Sequence, residues 1–213
     1  MYKKYAAEFT GTFALVFIGT GAATVNEISK GAVTQSGIAA AFGLAVMGII
    51  VMLSPVSGSH VNPAVTVALA VNKHFPYKQV MPYIVSQAAG ALLASYLLKL
   101  LFPGSLFLGG TLPSGTAMQS FLLELLLAFV LMLVILQAGK TLHNKKVLAA
   151  AVIGGVVFLE AFFAGPVCGA SMNPARSFAP AAINNHWQYL WIYLTAPFIG
   201  ALAAVVFFKI VKR

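Results

Sequence analysis

Charge is what this sequence has least of. Only 8% of its 213 residues are charged, and four of them are acidic, whereas ordinary soluble domains carry roughly a quarter. A surface so poor in charge does not stay dispersed in water. Cysteine is nearly absent as well: the single Cys168 excludes an intrachain disulfide and leaves no pair for a thiolate metal centre. No two histidines have metal-ligand spacing on one helix face. No metal, cofactor or catalytic residue is therefore assigned, and the chain is expected not to be an enzyme. The formal net charge of +9 invites a nucleic-acid reading. Yet the basic residues come in twos and threes between apolar stretches and never form a continuous stripe, so nucleic acid is not an expected partner. The start, with Lys3 and Lys4, runs into an apolar stretch that contains Glu8 and lacks a cleavage site. It reads as a first span rather than a signal peptide.

What is abundant is apolar sequence, at 60% hydrophobic residues. A transmembrane helix needs about 20 mostly apolar residues to cross a ~30 Å hydrocarbon core. The chain therefore has room for six or seven spans and none for a separate soluble domain, and residues 1–213 are expected to form a single transmembrane domain. Apolar runs fall at 6–25, 33–53, 79–102, 117–138, 147–165 and 189–209. Two further apolar pieces, Val61 to Val71 and Met172 to Ile183, are too short to cross. At ~1.5 Å per helical residue each reaches roughly half of the core, so two end to end would span it. Six spans put Lys3, Lys4, Lys73, Lys78, Lys140, Lys145, Lys146, Lys209, Lys212 and Arg213 on one side, and leave Lys30, Lys99 and Arg176 towards the other. Both termini are therefore expected to be cytoplasmic, in a multi-pass protein of the cell membrane.

The two halves repeat, at approximately 1–105 and 115–213. Glu8 in the first span precedes Asn62-Pro63-Ala64 by 54 positions, and Glu124 in the fourth precedes Asn173-Pro174-Ala175 by 49. Three spans per half make the second copy inverted, so both short helices point their N-termini at the midplane. Asn-Pro-Ala at a helix start has an ordinary meaning, since Asn caps well and Pro suits the first helical position. Two copies in matching places of an inverted repeat point further. Non-helical chain at membrane depth is tolerated only where it is buried in protein or lines a watery cavity, which implies a pore. Each half-helix start carries roughly half a positive charge and repels cations. The side-chain amides of Asn62 and Asn173 can donate to a passing water and interrupt a proton wire.

Ser57-Gly58-Ser59-His60-Val61-Asn62-Pro63-Ala64-Val65-Thr66 and Gly169-Ala170-Ser171-Met172-Asn173-Pro174-Ala175-Arg176-Ser177 resemble the two signatures of the aquaporin, or major intrinsic protein, family. The resemblance extends over nearly the whole chain. It implies an all-α membrane fold of six helices and two re-entrant half-helices in an inverted repeat, a narrow pore in each subunit, and a homotetramer. It also implies a selectivity filter of Phe42, Ala161, Ala170 and Arg176. Strict water channels of the family usually have a histidine where this chain has Ala161, and glycerol channels an aspartate where it has Ser177. The mixture is similar to bacterial relatives of the nodulin-like plant members.

Glu8 and Glu124 have two candidate roles, proton relay and loop brace. Their matched places favour bracing, because carboxylates accept several hydrogen bonds and the loops expose N–H groups with no water to satisfy them. Gln87 is assigned to the same end, and Glu160 is expected to brace the second loop, with titration beside the filter as its other reading. His60 is placed in the cytoplasmic vestibule. The expected function is a passive channel for water that excludes protons and ions, with small uncharged solutes such as glycerol, urea, ammonia or neutral hydroxylated acids as further permeants. The alternatives are a solute-selective aquaglyceroporin or metalloid channel that passes water secondarily, and, in another class, a secondary transporter, which would need coupling groups that are scarce here.

Overall fold

The computed structural model describes residues 2–211; Met1, Lys212 and Arg213, the last two counted above among the cytoplasmic charges, lie outside the described residues. Among the described residues eight α-helices follow one another: α1 Tyr2–Ile28, α2 Thr34–Ser57, α3 Pro63–Val71, α4 Val80–Leu101, α5 Ala117–Thr141, α6 Lys146–Cys168, α7 Pro174–Asn184 and α8 Leu190–Val211. A 3-10 turn, Tyr77–Gln79, leads into α4. Six of the helices are long and apolar enough to cross a membrane, while α3 and α7, with 9 and 11 residues, are not.

Where helices end follows from individual residues. Both α2 and α6 run past the expected ends at 53 and 165, and each is closed by a glycine in the left-handed region, Gly58 at φ 88° and Gly169 at φ 83°. A residue without Cβ adopts that conformation at no steric cost. The half-helices begin two residues later than the apolar pattern indicates. Val61 and Met172 have φ of 41° and 54°, outside any right-handed helix. The starts are set instead by Pro63 and Pro174 behind the extended caps Asn62 and Asn173.

The packing pairs of one half recur in the other: α1 lies on α4 as α5 lies on α8, α7 touches α4 as α3 touches α8, and α2 meets α6. Among lipid tails, helices gain little from apolar burial alone, so close backbone approach matters. Gly90 supplies it on α4, where a Cβ would stand 3.0 Å from the carbonyl carbon of Phe9 and 3.1 Å from the amide of Phe13. Gly200 does the same on α8 against Leu125 and Phe129, at 3.0 Å from each. At the α2–α6 crossing Gly43 and Gly154 face each other's carbonyls. Gly155 is different: apart from its own stretch of helix backbone, no described atom lies within 4 Å of where its Cβ would be, so it is not a packing glycine within the chain.

Candidate functional site

Two short loops, 58–61 and 169–172, carry the chain from the ends of α2 and α6 back into the bundle. Each alternates left-handed residues that are not glycine, Ser59 and Val61 in the first, Ala170 and Met172 in the second. Such backbone costs on the order of 1–3 kcal/mol per residue and persists only where its surroundings over-determine it. The surroundings are carboxylates. Glu8 Oε1 accepts from Ser57 Oγ at 2.7 Å and from the His60 amide at 3.0 Å, and its Oε2 accepts from the Val61 amide at 2.7 Å and Gln87 Nε2 at 2.7 Å. Glu124 accepts from the amides of Ser171 at 2.7 Å and Met172 at 2.8 Å. Both carboxylates are fully buried.

Glu160 does not share this work. It is buried beside Ala161, but neither of its oxygens has a hydrogen-bond partner, and the second loop's amides are taken by Glu124. The expected brace is absent because Glu160 sits on the α6 helix itself rather than opposite the loop's N–H groups. Two tyrosines that sequence reasoning passed over do support the loops. Tyr83 donates its hydroxyl hydrogen to the Ser57 carbonyl at 2.9 Å, and Tyr193 donates to the Cys168 carbonyl at 2.8 Å. A signal was available, since each lies seven positions before a crossing glycine, Gly90 or Gly200.

At the meeting point of the loops the two asparagines cap their own helices and tie the halves together. Asn62 Oδ1 accepts from the Ala64 amide at 2.9 Å, while its Nδ2 donates to the Met172 carbonyl at 2.8 Å. Asn173 mirrors this, accepting from the Ala175 amide at 3.1 Å and donating to the Val61 carbonyl at 2.8 Å. An amide nitrogen has two N–H groups, so each asparagine keeps one for a permeant.

Both asparagines line one elongated cavity with an empty volume of about 830 Å³, its open ends included. Apolar side chains from four spans, including Leu15, Val46, Leu131 and Val157, form one wall, and the polar loops form the other. His60 also lines it, bonded through Nδ1 to Thr66 Oγ1 at 3.2 Å and packed against Phe75 and Tyr83.

The opposite end gathers Phe42, Ala161, Ala170 and Arg176. Arg176, third residue of α7, is 4% exposed. Its Nη1 donates to the Gly109 carbonyl at 2.8 Å, its Cζ stands 5.0 Å from the centre of the Phe42 ring, and its Nε has no protein partner. Gln35 donates to the Ala161 carbonyl at 2.6 Å, a filter-side bond that no motif signalled. Ser177 bonds to Thr111 and Ser171, at 2.8 and 2.5 Å, and so is engaged within the wall.

Six spans, two half-helices meeting at paired asparagines, and a cavity ending at a buried arginine define a multi-pass membrane channel. A family model described as Major intrinsic protein matches residues 1–208. The chain is 42% identical over 212 residues to Aquaporin NIP6-1 of Arabidopsis thaliana, covering 100% of this chain and 70% of that protein. It is 41% identical over 213 residues to Nodulin-26 of Glycine max, covering 99% of this chain and 78% of that protein. The solved structure of the aquaglyceroporin from Plasmodium falciparum matches with a TM-score of 0.89 at 26% identity, over 99% of this chain and 96% of that one. The chain belongs to the major intrinsic protein family, and is a channel of the aquaporin kind rather than an enzyme.

Proposed function

We propose that the channel passes water readily and small uncharged solutes of glycerol or urea size more slowly, while excluding protons and ions. The observation that carries this reading is the composition of the Arg176 end of the cavity, where two alanines, Ala161 and Ala170, stand with Phe42 and Arg176. A methyl group at each of these positions occupies less of the filter than a polar ring would. The Phe42 ring fills part of it, and the Arg176 guanidinium lines the same cavity. The glycerol-channel name of the Plasmodium falciparum relative agrees with a filter open to more than water. Charge exclusion rests on the half-helix N-termini at Pro63 and Pro174 together with the guanidinium of Arg176. Glu8, Gln87 and Glu124 brace the loops that present these groups, and His60 belongs to the vestibule. The reading includes a homotetramer in the cell membrane, each subunit a single channel domain with repeats at about 1–105 and 115–213 and both termini cytoplasmic.

The test is a stopped-flow panel on proteoliposomes with water, glycerol, urea and ammonia, comparing the wild type with Ala161→His. The histidine adds a polar ring at the filter, so glycerol and urea flux should fall more than water flux, with the ratio changing on the order of tenfold. A wild type impermeable to every solute larger than water would contradict the reading. So would equal losses of water and glycerol flux in the variant.

A further inference from the structure

Phe42 is the bulky apolar member of the set Phe42, Ala161, Ala170 and Arg176 that lines the cavity, and what stands behind its ring decides how far it projects into the pore. Behind it is Gly19 of α1. The three heavy atoms nearest to an added Cβ at Gly19 all belong to the Phe42 ring, with Cζ at 2.6 Å and Cε1 and Cδ1 closer still. Carbon atoms rest at about 3.5–4.0 Å, so a methyl there would force the ring to retreat by well over ~1 Å. The helix backbone of α1 blocks one direction. The cavity with its two alanines is open in the other.

The next residue of the same turn supports the second half of the filter. An added Cβ at Gly109, whose carbonyl accepts from Arg176, would stand 2.8 Å from Cα and 2.9 Å from Cβ of Thr20. Gly109 also has φ of 62°. The Cα of the residue whose carbonyl holds the guanidinium therefore packs closely on α1, where a Cβ would meet Thr20.

From these two close approaches we infer that the Gly19–Thr20 step of α1 is a positioning element for solute selectivity. It acts through Phe42 and Gly109 without itself lining the pore, and the missing side chain at Gly19 sets the aperture. The inference rests on the assignment of Phe42 and Arg176 to the filter, and it goes beyond that assignment by placing size control on a helix outside it. Methyl-sized changes at Gly19 should tune which solutes pass, leaving the polar groups of the pore untouched.

The experiment compares four channels in proteoliposomes: wild type, Gly19→Ala, Phe42→Leu and Gly19→Ala/Phe42→Leu. Incorporated protein is quantified, and water and glycerol permeability are measured for each. In Gly19→Ala the ring is pushed inwards, so glycerol permeability should fall several-fold relative to water. On the Phe42→Leu background the ring is gone, and adding Gly19→Ala should change neither permeability. If Gly19→Ala inserts poorly, the double variant should recover the insertion of Phe42→Leu alone, because the clash lies with the ring. An unchanged glycerol-to-water ratio in a well-inserted Gly19→Ala overturns the inference. So does a Gly19→Ala effect of equal size, on ratio or on insertion, with and without the ring. A wild type with no glycerol flux sinks the selectivity proposal alone; the positioning role is then read from water permeability, which should fall in Gly19→Ala and not between Phe42→Leu and the double variant.

Discussion

Glu8, Glu124 and Glu160 are all buried, yet only the first two have partners. A carboxylate that accepts backbone N–H groups contributes charge-assisted hydrogen bonds of about 1.5–3 kcal/mol each. In Glu8→Gln or Glu124→Gln an NH2 group would confront N–H donors on one side, leaving the left-handed residues of the loops without their restraint. Both variants should show lower thermal stability in detergent and poorer insertion, while protein that inserts still excludes ions. Wild-type stability combined with a changed pH dependence of flux would favour the proton-relay role instead. Glu160→Leu should do the opposite. It removes a buried polar group that has no protein partner and keeps similar volume, so thermal stability should hold or rise. A loss comparable with that of Glu124→Gln would show that Glu160 supports the loop after all. The sequence alone could not separate these three, because a carboxylate in an apolar run looks the same whether or not an amide faces it.

Helices are joined here by close backbone approach, and its points are few and specific. At Gly200 the obstructing atoms are main-chain atoms of Leu125 and Phe129, which cannot rotate away. Gly200→Ala should therefore destabilise the protein by about 1–3 kcal/mol, seen as a lower unfolding temperature in detergent. Gly155→Ala, with open space within the chain, should cost far less. Equal effects would mean that the α5–α8 crossing does not depend on its glycine. The spans and half-helices were legible because apolar length and Asn-Pro-Ala are properties of consecutive residues. Their ends were not: Val61 and Met172 are as apolar as helix residues, and only their positive φ excludes them. The tyrosines Tyr83 and Tyr193 showed only as a matched place in the repeat, and their bonds did not, since an aromatic in a span reads as packing until its hydroxyl is seen to meet a loop carbonyl.

At the scale of the whole molecule, the halves are tied reciprocally, each asparagine capping its own half-helix and donating to the other half's loop. Both positive helix ends and Arg176 then act on the same single path. Such a path should admit dipoles and reject charge. The most direct test records osmotic swelling and membrane current on the same proteoliposomes, for the wild type and for Arg176→Val. The account predicts fast swelling with no current above protein-free vesicles for the wild type. For Arg176→Val it predicts proton or cation current with water flow intact. Wild-type current would contradict it, and so would an Arg176→Val channel that conducts water normally and stays at background conductance.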